Sequence, residues 1–254
     1  MRNAEGRGEW IFGRRPVAEV LRAARRKVYE AVLPQPFRGT GGELDEILSL
    51  LNTGGIPVHR MPREQLDRIC DGGNHQSIAL RTSPYPYVDL EDLLSAGGDA
   101  KDPLYLLLDH LEDPQNVGSL LRTADAAGVT GVILPEDRAS GVTPAAVRAS
   151  AGASEHLQIA RVVNLPRAMQ TLQKNGVWLT GLDMPAKDTK PYTEIDFRGA
   201  AGLVVGAEGD GLSRLVRQTC DFIGSLPMHG GVASLNAAVA GAIALYEILR
   251  QRKS

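Results

Sequence analysis

The sequence predicts an α/β protein in two parts, a small αβ sandwich followed by a larger domain on a parallel sheet. Three observations lead there. Over residues 10–80 short helical and strand patterns alternate. From Leu104 onward, apolar runs of four to six residues recur between helical stretches, as expected of strands buried on both faces. Three of those runs end in clusters of polar and glycine residues, and the carboxyl ends of parallel strands are where such folds carry ligand loops.

In the first part, placed at residues 8–80, the chain reads as helix over 16–26, strand over 28–33, helix over 42–52, strand over 57–61 and helix over 63–70. Residues 81–102 read as a linker. Pro84 and Pro86 disfavour helix and deny backbone donors, a short helical piece spans 90–95, and Gly97-Gly98 breaks it. The second part, 103–254, has strands at 104–108, 129–134, 157–162, 177–182, 202–205 and 222–226. Its last helix, from Ala237, is too short for a bilayer span and carries Glu247, so it is read as a buried helix. The small residues Ala237, Ala240, Gly241 and Ala244 permit close helix packing, either in the core or between subunits.

A net charge of -2 gives no global attraction for nucleic acid, so any such surface is local. The first thirty residues offer one: Arg2, Arg7, Arg14, Arg15, Arg22, Arg25, Arg26 and Lys27 stand against four glutamates. A solvated helix face is the alternative. Cys70 and Cys220 form no CxxC, and His59, His110, His156 and His229 have no metal-ligand spacing, so neither a disulfide framework nor a metal site is expected. The polar N-terminus lacks the apolar core of a secretion signal, which predicts a cytoplasmic protein.

Three strand–loop–helix segments carry the candidate chemistry. After Tyr105-Leu106-Leu107-Leu108 comes Asp109-His110-Leu111-Glu112-Asp113-Pro114-Gln115-Asn116-Val117-Gly118 and a helix through Arg122. Leu203-Val204-Val205 ends in Gly206-Ala207-Glu208-Gly209-Asp210-Gly211-Leu212-Ser213. Leu226-Pro227-Met228-His229-Gly230-Gly231-Val232-Ala233-Ser234-Leu235-Asn236 opens the last helix, where backbone amides can face a ligand. Gly206-x-x-Gly209-x-Gly211 is not the dinucleotide spacing, and no Walker lysine follows it. Ser234 and Asn236 suit a helix cap as well as a ligand contact.

In order and spacing these segments resemble motifs one to three of the SpoU (TrmH) family of RNA ribose 2'-O-methyltransferases, over residues 104–250. Arg148-Ala149-Ser150-Ala151-Gly152-Ala153 and Arg161-Val162-Val163-Asn164-Leu165 resemble the branch acting on large-subunit ribosomal RNA, as do Ile11-Phe12-Gly13-Arg14-Arg15-Pro16-Val17 and His75-Gln76-Ser77-Ile78-Ala79 in its small RNA-binding domain. The resemblance implies an L30e-like first domain, a SPOUT-type second domain with a deep trefoil knot, and a homodimer. It implies S-adenosylmethionine held by backbone groups around Gly206, Leu226, Met228 and Leu235. It places Asn116, Arg122, Glu208, Ser234 and Asn236 in the catalytic centre, and Arg14, Arg15, His75 and Gln76 at the RNA. The target implied is a guanosine of large-subunit ribosomal RNA; a tRNA acceptor and a noncatalytic RNA-binding protein are the alternatives.

Elementary chemistry constrains these roles. A guanidinium is always charged, so Arg122 suits a fork for phosphate and developing alkoxide better than a base, leaving water or Glu208 to take the proton. Arg122 follows Asn116 by six residues, so the two can border one cleft without sharing a helix face. His75 equally reads as a buried residue that stops a helix. Ala238 stands where many relatives carry serine, which removes any hydrogen bond made there.

Overall fold

The computed structural model describes residues 8–36, 41–98, 101–209, 211–231 and 234–253; Arg2, Arg7, Asp210, Val232 and Ala233 lie outside the described residues. The chain forms two compact units, one from residues up to Pro86 with Val142–His156, the other from Tyr87–Gly141 with Leu157 onward.

The first unit holds β1 (Glu9–Phe12), α1 (Arg14–Ala23), β2 (Val28–Gln35), α2 (Glu43–Thr53), β3 (Val58–Pro62), α3 (Arg63–Ile69) and β4 (Ala79–Thr82). The strand order is β1-β4-β2-β3. β4 runs antiparallel to β1 and β2, and β3 runs parallel to β2. α1 buries Pro16, Val17, Ala18 and Val20, and α2 buries Leu44, Ile47 and Leu51, a stripe at helical spacing. β1 and β4 are four residues each, too short for alternation to announce them.

The second unit begins with α4 (Leu90–Gly98), β5 (Leu104–Leu108), α5 (Pro114–Ala126) and β6 (Gly131–Pro135). The chain then passes through α6 (Pro144–Ala149), which belongs to the first unit. It returns as β7 (Ile159–Val162), α7 (Leu165–Lys174), β8 (Trp178–Leu182), β9 (Lys190–Pro191), β10 (Ala201–Val205), α8 (Arg214–Thr219), β11 (Phe222–Ser225) and α9 (Ala237–Arg252). Seven strands form one sheet in the order β7-β6-β5-β10-β8-β11-β9, all paired parallel. Every residue of β5, β6 and β10 is buried, which explains their unbroken apolar runs.

The stretch read as a linker carries α4, whose Leu93 is buried in the core of the second unit. A Cβ at Gly131 would lie 2.6 Å from the Leu93 side chain, so glycine lets α4 lie against β6. The small-residue face of α9 is used internally. A Cβ at Gly241 would meet Leu120 of α5 at 2.5 Å and Val205 of β10 at 3.2 Å. Ala237 and Ala244 are buried, while Val239, Ile243 and Tyr246 are exposed on the opposite side.

Residues 142–156 are fastened to the first unit by charge. The Arg26 guanidinium, wholly buried, donates to both carboxylate oxygens of Glu155 at 2.9 Å and to Glu9 at 2.7 Å. Burial alone lowers the proton affinity of Arg26, but the two carboxylates override it and the net shift is upward. Removing either member of such a pair strands a buried charge at a cost of about 3–5 kcal/mol.

Candidate active site

The sheet places the polar loops together. From β5 the chain proceeds outward to β6 and β7, then crosses to build β8, β10 and β11 on the other side. β5 and β10 are therefore neighbours at the reversal of strand order, where parallel α/β sheets open a crevice. Asp109, the first residue after β5, is fully buried and its N–H donates to Val205 O at 2.8 Å. Its carboxylate accepts the Ser213 N–H at 2.6 Å and is hydrogen-bonded to His110 Nδ1. One buried acid thus ties the first loop to the second.

The second loop folds back on itself through glycine. A Cβ on Gly206 would sit 2.2 Å from Gly211 O, and Gly211 itself has φ +67 and donates to Ala207 O at 3.0 Å. A Cβ on Gly211 would also approach Asp183 Oδ1 to 2.9 Å. Asp183, just beyond β8, is held by Arg217 at 2.8 Å, which also grips Asp188.

The helix starts deliver the amides. Asp113 caps α5 by accepting Gln115 N–H at 2.9 Å, with Pro114 in the first turn, and this puts Asn116 at the crevice. Asn236 caps α9, its Oδ1 accepting from Ala238 N at 2.9 Å and Val239 N at 3.3 Å. Its Nδ2 donates to Asn116 Oδ1 at 2.8 Å and to Glu208 Oε2 at 3.3 Å. Asn116 Nδ2 donates to the same Glu208 oxygen at 3.1 Å. Three loops therefore meet in one hydrogen-bonded triangle.

Two clefts adjoin it. The first, of about 620 Å³, is walled by Leu182, Val205, Gly206, Leu226, Met228 and Leu235, with Glu208 and Ser234 also lining it. The second, of about 1110 Å³, includes His110, Asn116, Arg138 and Ser213. Ala207, Glu208 and Gly211 line both, so Glu208 stands on the shared wall. All four residues expected at the cofactor line the first cleft. Met184 and Pro185, which also line it, escaped sequence reading, as did Asp183. The signal was a polar residue and a proline directly after an apolar strand.

Arg122 is not in this group. It is exposed on α5, lines neither cleft, and its side chain makes no hydrogen bond or ion pair among the described residues. Six residues of helix carry it about 9 Å along the axis from Asn116 and roughly 240° around it.

In the first unit, Arg14, Arg15 and Gln76 line a third cleft. His75 does not. It is buried, its Nδ1 accepting the Ser77 N–H at 3.0 Å and its Nε2 lying 2.9 Å from Asp67, the geometry of a loop-holding residue. Much of the N-terminal basic run is likewise structural: Arg22 pairs with Glu19 and Glu46, and Arg26 is the buried fastener.

Residues 103–246 match the sequence model of the SpoU rRNA Methylase family, and residues 10–88 match that of RNA 2'-O ribose methyltransferase substrate binding. The chain belongs to the SpoU rRNA methylase family. Among relatives, this SpoU chain is 38% identical over 245 residues to a Bacillus subtilis protein named as a TrmH family tRNA/rRNA methyltransferase, YacO, covering 96% of each. A Staphylococcus saprophyticus protein of similar name is 44% identical over 213 residues, 83% of this chain and 84% of the relative. Among solved structures, the SpoU methyltransferase AviRb of Streptomyces viridochromogenes in complex with AdoMet superposes with TM-score 0.78 at 27% identity, covering 95% of this chain and 89% of that one. An AdoMet-bound rRNA methyltransferase of Sinorhizobium meliloti gives 0.80 at 25% identity, covering 97% and 88%.

Proposed function

We propose that this SpoU protein transfers a methyl group from S-adenosylmethionine to the ribose 2'-hydroxyl of a guanosine in large-subunit ribosomal RNA. The observation that carries the reading is the Asn116–Glu208–Asn236 triangle on the wall between two clefts. The first cleft fits the cofactor. Leu182, Val205, Leu226, Met228 and Leu235 give it apolar walls for a purine. The glycine-closed loop at Gly206 brings backbone groups to the edge. When bound, S-adenosylmethionine supplies an activated methyl group.

The residues of the chain align and manage charge. Glu208 Oε2 is occupied by two amide donors, while its Oε1 has no donor among the described residues. Oε1 accepts the 2'-hydroxyl from the second cleft and takes its proton as the oxygen attacks. Asn116 and Asn236 fix that carboxylate, and Ser234 borders the cofactor cleft. Arg122 holds a neighbouring phosphate and offsets the charge developing on oxygen.

A homodimer accounts for the place of Arg122. α9 packs on α5 through Gly241 and Leu120 and exposes Val239, Ile243 and Tyr246. Burying that face against a second copy brings the neighbouring α5, and Arg122 with it, to the seam. The same reading has the first unit as the RNA-binding domain and the second as the methyltransferase domain with a trefoil knot, working in the cytoplasm. Mapping ribose methylation in RNA from cells with and without the protein tests it. Loss of one 2'-O-methylguanosine from large-subunit ribosomal RNA is expected; loss from a transfer RNA would move the target, and no loss from any RNA would remove the reading.

A further inference from the structure

The cleft of the first unit, about 1290 Å³, is lined by Arg14 and Arg15 at the start of α1, by Asn74 and Gln76, and by Arg148 from α6, with Glu43 of α2 the one carboxylate on its wall and paired with none of the three arginines. Three arginines around one concavity repel one another. The first two also sit in the first turn of a helix with no acidic residue there, the end where the helix dipole disfavours cations. Among the described residues none of the three has a carboxylate within ion-pair distance. Arg148 is half-buried, its guanidinium 4.2 Å from the centre of the Phe12 ring and donating to Pro144 O at 3.2 Å. Burial lowers its proton affinity. Such an arrangement costs stability in the free protein and is offset when an anion enters.

Gln76 and Asn74 add neutral donors. Gln76 Oε1 accepts Arg14 N–H at 2.8 Å and Asn74 Oδ1 accepts Gln76 N–H at 3.3 Å, which turns both amide NH2 groups away from the bonds that hold the loop. Charged forks plus amide donors in a concave wall match an unpaired ribonucleotide stretch better than a regular duplex, whose grooves do not enter a cleft.

We propose that this cleft seats a single-stranded segment of the RNA substrate with its phosphates on Arg14, Arg15 and Arg148, so that Arg148 is a substrate-binding residue although it lies outside residues 10–88. The proposal rests on the reading that the substrate is RNA. It also explains why residues 142–156 are pinned to the first unit by Arg26 and Glu155, since that pair holds α6 where Arg148 completes the cleft.

The test titrates the full-length protein with fluorescein-labelled polyuridylate over a range of salt concentrations. Arg148→Gln should weaken binding about tenfold and reduce the slope of log affinity against log salt by about one. Arg148→Lys should restore the slope, and Arg15→Gln, at an exposed position, should lower it as Arg148→Gln does. S-adenosylmethionine affinity should be unchanged in all three. If Arg148→Gln does not fold, Arg15→Gln and Arg148→Lys decide on the same readout. Wild-type affinity and slope in Arg148→Gln, or in Arg15→Gln where the former does not fold, would overturn the proposal. Methyl transfer to RNA is measured in parallel: slope changes in a protein that methylates no RNA leave the site standing and remove the enzymatic reading. Normal methylation with unchanged slopes does the reverse.

Discussion

Asn236 Nδ2 donates to Asn116 Oδ1 at 2.8 Å, joining the entrances of two helices 120 residues apart in the chain. The same side chain caps α9 through its other atom. The helix cap and the contact proposed to serve catalysis therefore use different atoms of one residue.

That division can be separated by substitution. Asn236→Ala removes cap and donor together, and should cost about 1 kcal/mol in denaturant unfolding and about a hundredfold in methyl transfer. Asn236→Ser keeps a capping oxygen without the amide donor. Its stability should stay near wild type while turnover still falls, and equal loss of both in the serine variant would show that the triangle serves the helix alone.

Arg122→Ala should abolish turnover and leave S-adenosylmethionine affinity largely intact, measured by calorimetric titration. Arg122→Lys should recover little, because an ammonium cannot make the planar two-point contact. Near-normal turnover in the alanine variant would remove Arg122 from the mechanism.

Asp109→Ala should leave the half-buried Ser213 N–H without its acceptor and cost about 1 kcal/mol. Because this carboxylate fixes the loop carrying Glu208 to the end of β5, cofactor affinity should fall in the same variant. Unchanged unfolding midpoint and affinity would contradict the account of the crevice.

Both thiols should be inert in the folded protein. Burial pushes Cys70 up to about 11 and Cys220 up to about 12, so thiolate is scarce near neutrality. Reaction with a chromogenic disulfide reagent should be slow at pH 7 and become fast on unfolding; a fast native phase would contradict the raised proton affinity of both thiols.

The parallel sheet was legible because its central strands are buried on both faces and so are written as unbroken apolar runs. That Gly206, Leu226, Met228 and Leu235 line one cleft was legible for a related reason, since the first three follow the ends of β10 and β11 and Leu235 precedes α9. β1, β4 and β9 were not, being short strands at positions where no unbroken apolar run between helices marks them. The attachment of residues 142–156 to the first unit was hidden because Arg26 and Glu155 lie 129 positions apart and no local pattern couples them. The placement of Arg122 was half legible: helical spacing said it leaves the face of Asn116, and only the clefts of the fold show what lies on the other side.

The most direct measurement is the chemical position of the transferred methyl. Large-subunit ribosomal RNA lacking modifications is incubated with the protein and methyl-labelled S-adenosylmethionine, then hydrolysed in alkali, which cannot cleave next to a methylated 2'-oxygen. The account predicts label in alkali-resistant dinucleotides beginning with guanosine, and none when Glu208 is replaced by alanine. Label released as a base-methylated mononucleotide, or full transfer by the Glu208→Ala protein, would contradict it.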